Sequence, residues 1–351
     1  MRSPSVLRAA VLLGIVLDPP VLGPTVRRVT GEPRLERWEA DGVPVEVARP
    51  RGSGPWPTWL FVNGAHPERR AEPVVQHLSR GLARAGYLVL VPDVPGLGEG
   101  TITARTLEAT SAVTAAAVRR HDVSDGRVAL IGASTGAALA LLTAARADLA
   151  HRVSVVAAVA PFADLERMVC LATTQGYAEN GGFTRYDVAA LQRRVVARSL
   201  VAAVADEDER ARLLSALDQA EADGRDPVEA LPDPDELSPQ GRAIVHVLRN
   251  DVPERFAELF RALPDDLHAL LTRLSPLGAA PDVQARVEIV VPPADVYFPL
   301  GEARALADAL PRAHLTVTGT LDHTRPDLSL GRLRDLVSFG RFVVRGLAAA
   351  G

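Results

Sequence analysis

The amino-acid sequence predicts an α/β protein: a mostly parallel central sheet covered by helices on both faces, with a helical segment inserted into it. Three observations carry this. Short apolar runs of strand length alternate with amphipathic segments of helical period over both ends of the chain. Between about Leu165 and Leu277 the alternation stops, strand-like runs vanish, and polar-faced helices broken by Gly181-Gly182 and by Pro232 to Pro239 take over. The chain has 351 residues, which at about 150 residues per domain fits two domains or one large α/β domain carrying an insertion.

From the N-terminus, Arg2 and Arg8 precede an apolar run from Ala9 to Leu17 that has the length of a signal-peptide h-region and is too short to span a bilayer. Asp18-Pro19-Pro20 ends it, and no A-x-A-like site follows. Residues 1–30 are expected to be a short helix packed on the body or lying on a membrane surface, with a secretion or anchoring signal as the alternative. A cytoplasmic location is the expectation, with membrane association or export through residues 1–24 as the other reading. Val43 to Ala48 reads as a strand, the Gly/Pro-rich stretch Pro50 to Pro57 as a turn, and Thr58 to Val62 as a buried strand. Glu72 to Ala85 places Val74, Val75, Leu78, Leu82 and Ala83 on one helical face and stops at Gly86. Next come a strand Tyr87 to Val91, a helix from about Leu107 to His121, a strand Val128 to Ile131, a helix Thr135 to Ala147 and a strand Val153 to Val159. After the insertion the pattern resumes with strands Val287 to Val291 and His314 to Thr318, separated by a helix from Glu302 to Leu310, and a last helix from Leu330 to about Leu347. The expected organisation is a core of residues 31–164 and 278–351, with residues 165–277 as an inserted helical cap.

Composition excludes several chemistries. Apolar residues are 47% and charged residues 23% of the chain, so a folded soluble body is expected rather than disorder or a coiled coil. All 39 basic residues are arginine, which removes lysine Schiff bases, a pyridoxal-phosphate anchor and a Walker-A loop. A net charge of −4 gives no electrostatic footprint for nucleic acid. Cys170 is the sole cysteine and the histidines lack metal spacing, so neither a disulfide nor a metal site is expected, and no cofactor.

The chemistry concentrates at Gly132-Ala133-Ser134-Thr135-Gly136, which joins a predicted strand to a predicted small-residue helix. A serine on so tight a turn needs tiny residues two positions before and after it, or strand and helix collide; Gly132 and Gly136 supply them. The turn also sets a helix N-terminus, with its backbone N–H groups, beneath the serine. The bland alternative is a chance G-x-S-x-G at a strand–helix junction.

The wider pattern is similar to that of the α/β-hydrolase superfamily, from about Val43 to Leu347. Phe61-Val62-Asn63-Gly64-Ala65-His66-Pro67 resembles its H-G-x-x-P oxyanion loop, with asparagine in place of the first histidine. Asp93-Val94-Pro95-Gly96-Leu97-Gly98 resembles its D-x-P-G-x-G loop. Val291-Pro292-Pro293-Ala294-Asp295-Val296-Tyr297-Phe298-Pro299 resembles the acid-bearing H-G-x-x-D-x-x-I-P, without the initial His-Gly, and Asp322-His323 follows the final strand. The resemblance implies Ser134 as nucleophile, His323 as base and Asp295 as the acid that orients it, with the backbone N–H groups of Thr135 and Ala65 forming the oxyanion hole.

Asp164 is the rival acid, since it follows the Val153 to Val159 strand. His66, Tyr297 and Phe298 are candidate pocket residues; the alternatives are a loop histidine bonding its own backbone and aromatic residues of the core. Cys170 reads as a small buried residue. The function implied is hydrolysis of a carboxylic ester or related acyl compound, closest in look to dienelactone-hydrolase-like and esterase-like proteins. An acyltransferase or peptidase on the same triad is the alternative, and a non-catalytic ligand-binding protein on the same fold is the other. The expected partner is a small-molecule acyl substrate, with membrane-surface contact through the N-terminal segment as an option.

Overall fold

The computed structural model describes residues 4–17, 20–179, 182–326 and 333–351. Asp18-Pro19, Gly181 and the expected helix start at Leu330 lie outside the described residues. The chain divides into two units, one of residues 1–98, 105–163 and 276–351, the other of residues 99–104 and 164–275.

The first unit is built on an eight-stranded sheet. Its strands are β1 (Arg34–Ala40), β2 (Val43–Arg49), β3 (Thr58–Val62), β4 (Leu88–Pro92), β5 (Val128–Ala133), β6 (Val153–Val159), β9 (Arg286–Val291) and β10 (Ala313–Val317), in the spatial order β1-β2-β4-β3-β5-β6-β9-β10. β2 runs antiparallel to β1 and β4, and the strands from β4 to β10 are parallel. Every residue of β3, β4 and β5 is buried, as continuous apolar runs require in a sheet covered on both faces. The helices of this unit are α1 (Pro4–Val16), α2 (Leu22–Thr30), α3 (Pro73–Arg84), α4 (Ala104–Ala117, its first residue belonging to the second unit), α5 (Thr135–Ala144), α12 (Pro276–Ala279), α13 (Leu300–Ala309) and α14 (Leu333–Ala350).

β1 is not among the strands expected from sequence. It is polar and charged, an edge strand half open to solvent, and it joins β2 through Asp41-Gly42, both with positive φ (48° and 76°). That is a two-residue hairpin turn of the type the Asp-Gly pair favours.

The N-terminal run packs on the body. Ala9, Leu12 and Ile15 of α1 are buried, the His77 Nε2–H of α3 donates to the Ile15 carbonyl at 2.8 Å, and a methyl group added at Gly81 would meet Leu12 Cδ1 at 3.0 Å. No described helix is long and apolar enough to cross a membrane.

The second unit contains α6 (Leu165–Thr174), α7 (Ala190–Ala202), α8 (Glu207–Ala222), α9 (Pro239–Leu248), α10 (Pro253–Arg261) and α11 (Asp265–Arg273). It is not helical throughout. A hairpin of β7 (Gly176–Glu179) and β8 (Gly182–Arg185) corrects the expectation that strands vanish there. Tyr177 and Tyr186 meet edge-on at 5.8 Å, and Phe183 lies where a Gly176 side chain would be, so one glycine and three aromatic rings replace the apolar alternation that marks a core strand. The chain leaves the first unit after Ala163 and returns at Pro276, and there the Leu277 N–H donates to the Ala163 carbonyl at 2.9 Å.

Candidate active site

The parallel strands β5, β6, β9 and β10 end at one edge of the sheet, and three backbone bonds extend their ladder past the strand ends. Ser134 N–H donates to Val159 at 2.8 Å, Ala160 N–H to Val290 at 2.9 Å and Thr318 N–H to Val291 at 3.0 Å. The loops and turns that leave this edge place the predicted site residues of the first unit.

Ser134 occupies the turn between β5 and α5 with φ 53° and ψ −122°, a region costly for any residue with a side chain. Packing holds it there. A methyl group at Gly132 would fall 2.3 Å from the Ala137 Cα, and one at Gly136 would fall 2.1 Å from the Val62 carbonyl oxygen. Both glycines are therefore steric necessities of the turn. All ten residues of α5 are buried, and the serine hydroxyl makes no cap bond to the helix it precedes, which leaves the Thr135 N–H at a helix N-terminus.

The loop after β3 presses on the same turn. A methyl group at Gly64 would meet the Ala133 carbonyl at 3.1 Å and the Ser134 Cβ at 3.3 Å, so Ala65 follows the point of closest approach. The loop's shape comes from Asn63, which in sequence is only a departure from the histidine of the resembled loop. It is buried. Its Oδ1 accepts from the Gly64 N–H at 2.8 Å, and its Nδ2 donates to the Arg69 carbonyl at 2.9 Å and to buried Glu72 at 3.2 Å. A side chain with one acceptor and two donors does here what a histidine cannot do alone. His66 Nδ1 accepts the Glu68 N–H at 3.3 Å, a bond within its own loop.

Beyond β9, Asp295 and His323 come together. The His323 Nδ1–H donates to the Asp295 carboxylate at 2.8 and 3.0 Å, and both side chains are largely buried. Because an ionised carboxylate only accepts, this contact puts a proton on Nδ1 and leaves Nε2 as the ring nitrogen not engaged by the carboxylate. Asp295 is itself fixed by the Tyr297 N–H at 2.7 Å. The Tyr297 ring lies 4.2 Å from the imidazole and the Phe298 ring 5.7 Å, with Phe162 edge-on to Phe298. These aromatic residues clamp the histidine, whose own φ of 51° is also strained.

Asp164 has another occupation. Its carboxylate accepts the Arg167 N–H at 3.0 Å as the N-cap of α6. Asp322 is exposed on the short strand β11 (Leu321–Asp322), which pairs with β12 (Arg325–Pro326). Burial pushes the Cys170 thiol up, with Glu166 adding to it against a hydrogen bond from Thr174, so it is a poor nucleophile at neutral pH. Among the described residues no group of histidine, cysteine and carboxylate side chains is arranged to hold a metal ion.

Known structures share the architecture. The 2,6-dihydroxy-pseudo-oxynicotine hydrolase aligns with a TM-score of 0.51 at 16% identity, over 93% of this chain and 72% of that one. Dipeptidyl peptidase 4 of Porphyromonas gingivalis aligns with a TM-score of 0.51 at 13% identity, over 91% of this chain; this chain spans 37% of that protein's length. An esterase of Pyrobaculum calidifontis aligns with a TM-score of 0.50 at 18% identity, over 92% and 89%. No curated protein sequence matches. At these identities the likeness concerns the fold, which is that of the α/β-hydrolases. A family model for the X-Pro dipeptidyl-peptidases matches residues 39–243, more than half of the chain and including the strand, turn and helix around Ser134; the chain is a serine hydrolase of the α/β-hydrolase fold and belongs to the X-Pro dipeptidyl-peptidase (S15) family.

Proposed function

We propose that the protein hydrolyses a carboxylic ester through an acyl-enzyme on Ser134. The observation that carries this is the Asp295–His323 pair, held at 2.8 Å at the sheet edge that also carries the strained serine turn. Ser134 Oγ attacks the acyl carbon and its proton passes to His323 Nε2. Asp295 stabilises the imidazolium without taking the proton. The oxyanion forms against the backbone N–H groups of Thr135 and Ala65. Collapse expels the alcohol, which takes the proton from His323, and water then repeats the sequence to release the acid.

An ester is favoured over a peptide with a free amino end by how the carboxylates of these loops are used. Glu72 accepts from Asn63, Asp93 is paired with Arg70, and Asp295 holds His323; binding a substrate ammonium would compete with each of these contacts. The second reading is cleavage of an X-Pro peptide, and the family match supports it. Residues 165–277 are assigned the choice of substrate, because the chain enters this segment just past the end of β6, whose last residue, Val159, accepts the Ser134 N–H.

The test is labelling with a fluorophosphonate, followed by turnover of p-nitrophenyl esters of increasing acyl length beside X-Pro p-nitroanilides. Ser134→Ala is expected to abolish labelling and to lower ester turnover by about a million-fold. Labelling that survives in Ser134→Ala would refute the nucleophile, and turnover of the anilides alone would move the substrate to peptides.

A further inference from the structure

We infer that Asn63, held by Glu72, is the positioning residue of the oxyanion hole: it leaves the Ala65 N–H as the free donor and fixes where that donor stands. This role rests on the acyl-enzyme chemistry proposed for Ser134, and it belongs to a side chain that touches no reacting atom. The loop after β3 presses on the serine turn at Gly64, where an added methyl group would lie 3.3 Å from the Ser134 Cβ. Two N–H groups adjoin this point, those of Gly64 and Ala65, and an oxyanion needs a donor that is not already committed. The Asn63 Oδ1 takes the Gly64 N–H at 2.8 Å. The Ala65 N–H makes no hydrogen bond among the described residues. Asn63 thus consumes one donor and leaves the next for a ligand oxygen.

The asparagine is fixed from its other end. Its Nδ2 donates to the Arg69 carbonyl at 2.9 Å and to Glu72 at 3.2 Å, and Asn63 and Glu72 are both buried. Carbonyl and carboxylate oxygens accept and a backbone N–H donates, so a single orientation of the amide satisfies all three contacts. Between Gly64 and Glu68 every other hydrogen bond among the described residues stays local. Arg69 N–H donates to the His66 carbonyl, Glu68 N–H to His66 Nδ1 and Ala71 N–H to the Glu68 carbonyl. Asn63 is therefore the clasp that joins the start of this loop to its end, and Glu72, the residue ahead of α3, ties the clasp to that helix. Arg69, whose carbonyl the clasp holds, has φ 52°, a conformation that persists only where neighbours impose it.

Charge developing on the substrate oxygen is what this clasp serves, so its loss falls on the transition state rather than on substrate binding. An ester places that charge on oxygen, which the N–H donors stabilise. A thionoester places it on sulfur, a weak acceptor that gains little from them.

The test compares p-nitrophenyl esters with the matching thionoesters in wild type, Asn63→Ala and Glu72→Ala. Turnover is counted per serine labelled to completion by fluorophosphonate, so that any unfolded fraction drops out. Asn63→Ala is expected to lower ester kcat by about a hundred- to a thousand-fold, the cost of one lost oxyanion donor, with KM little changed. Thionoester turnover should fall by no more than about tenfold. Glu72→Ala removes one of the three bonds and should show the same split, with about a tenfold loss on the ester. Equal losses on ester and thionoester would reduce Asn63 to a structural residue and overturn the inference, as would an unchanged ester kcat in folded Asn63→Ala. If Asn63→Ala does not fold, Glu72→Ala decides by the same two outcomes. Ser134→Ala, assayed beside them, keeps the two readings apart. Turnover that persists there refutes the nucleophile, whereas turnover that vanishes there and survives in full in Asn63→Ala refutes the positioning role alone.

Discussion

Ser134 and His323 both sit at positive φ, 53° and 51°, and neither has glycine's freedom there, so the surrounding packing must supply about 1–3 kcal/mol for each. Gly136 is where that packing is least forgiving. Its missing side chain would meet the carbonyl oxygens of Val62 and Asn63 at 2.1 and 2.4 Å, both backbone atoms that no rotamer change can move. Gly136→Ala should therefore destabilise by about 4 kcal/mol or more and abolish turnover, measured by thermal melting beside the ester assay. The acids separate equally well. Asp295→Asn presents an amide donor to the imidazole, favours the wrong tautomer and should lower kcat by about ten-thousand-fold. Asp164→Asn alters only a helix cap, to which asparagine is as well suited as aspartate, so its turnover should remain near that of wild type. The reverse pattern would move the acid to Asp164. The turn around Ser134 was legible in sequence because a steric rule, tiny residues around a sharp turn, leaves a fixed spacing. Asn63 was not, because its role depends on Arg69 and Glu72 meeting it in space.

At the scale of elements, the buried parallel strands could be read because continuous apolar runs have one stable home, whereas edges and hairpins obeyed other signals. β1 has a charged face that resembles a loop, yet Asp41-Gly42 marks its turn and half-buried Trp38 its inner side. β7 and β8 rest on Gly176 meeting Phe183, a contact that no periodicity records. The last helix shows how a polar contact fixes an element that apolar patterning alone would leave free to slide. Arg345 of α14 reaches the sheet, its Nε donating at 2.7 Å to Glu288 of β9, which is 1% exposed, and its terminal nitrogen donating at 2.9 Å to Thr316 of β10. Arg345→Met removes the cation and strands a buried carboxylate, a change that costs about 3–5 kcal/mol. The paired variant Glu288→Leu with Arg345→Met should recover much of that loss, since breaking such a pair is worse than replacing it. A double-mutant cycle by urea unfolding measures both, and equal destabilisation in the single and double variants would deny the pair its role.

Across the whole molecule, all three tryptophans, Trp38, Trp56 and Trp59, belong to the first unit, so intrinsic fluorescence tracks the unfolding of that unit alone. Two of them also flank an acid-sensitive cluster. Asp122, 3% exposed, takes two bonds from Arg120 at 2.8 and 2.9 Å and one from Arg49 at 2.9 Å; Arg49 in turn holds Glu36, at 3.0 and 3.1 Å. Arg120 lies over the Trp38 ring and Arg49 over that of Trp56. Burial pushes the Asp122 carboxyl up, but the hydrogen bonds and charges of Arg120 and Arg49 outweigh it and hold the group below the ordinary carboxylate range. The hydrogen bond from Arg49, against a smaller effect of burial, holds Glu36 below it too. The folded state therefore binds fewer protons than the unfolded chain wherever free carboxylates titrate, near pH ~4. The stability these groups contribute is complete above that range and is lost as pH falls through their lowered values. Tryptophan-detected unfolding should thus be nearly independent of pH from about 8 to 6 as far as these two groups are concerned, and should weaken steeply below about 5. Asp122→Asn should lower stability at neutral pH by about 1–3 kcal/mol, leaving two arginines short of a buried counter-charge, and should flatten the acid limb because the titrating group is gone. An acid limb as steep in Asp122→Asn as in wild type would assign the sensitivity to other carboxylates.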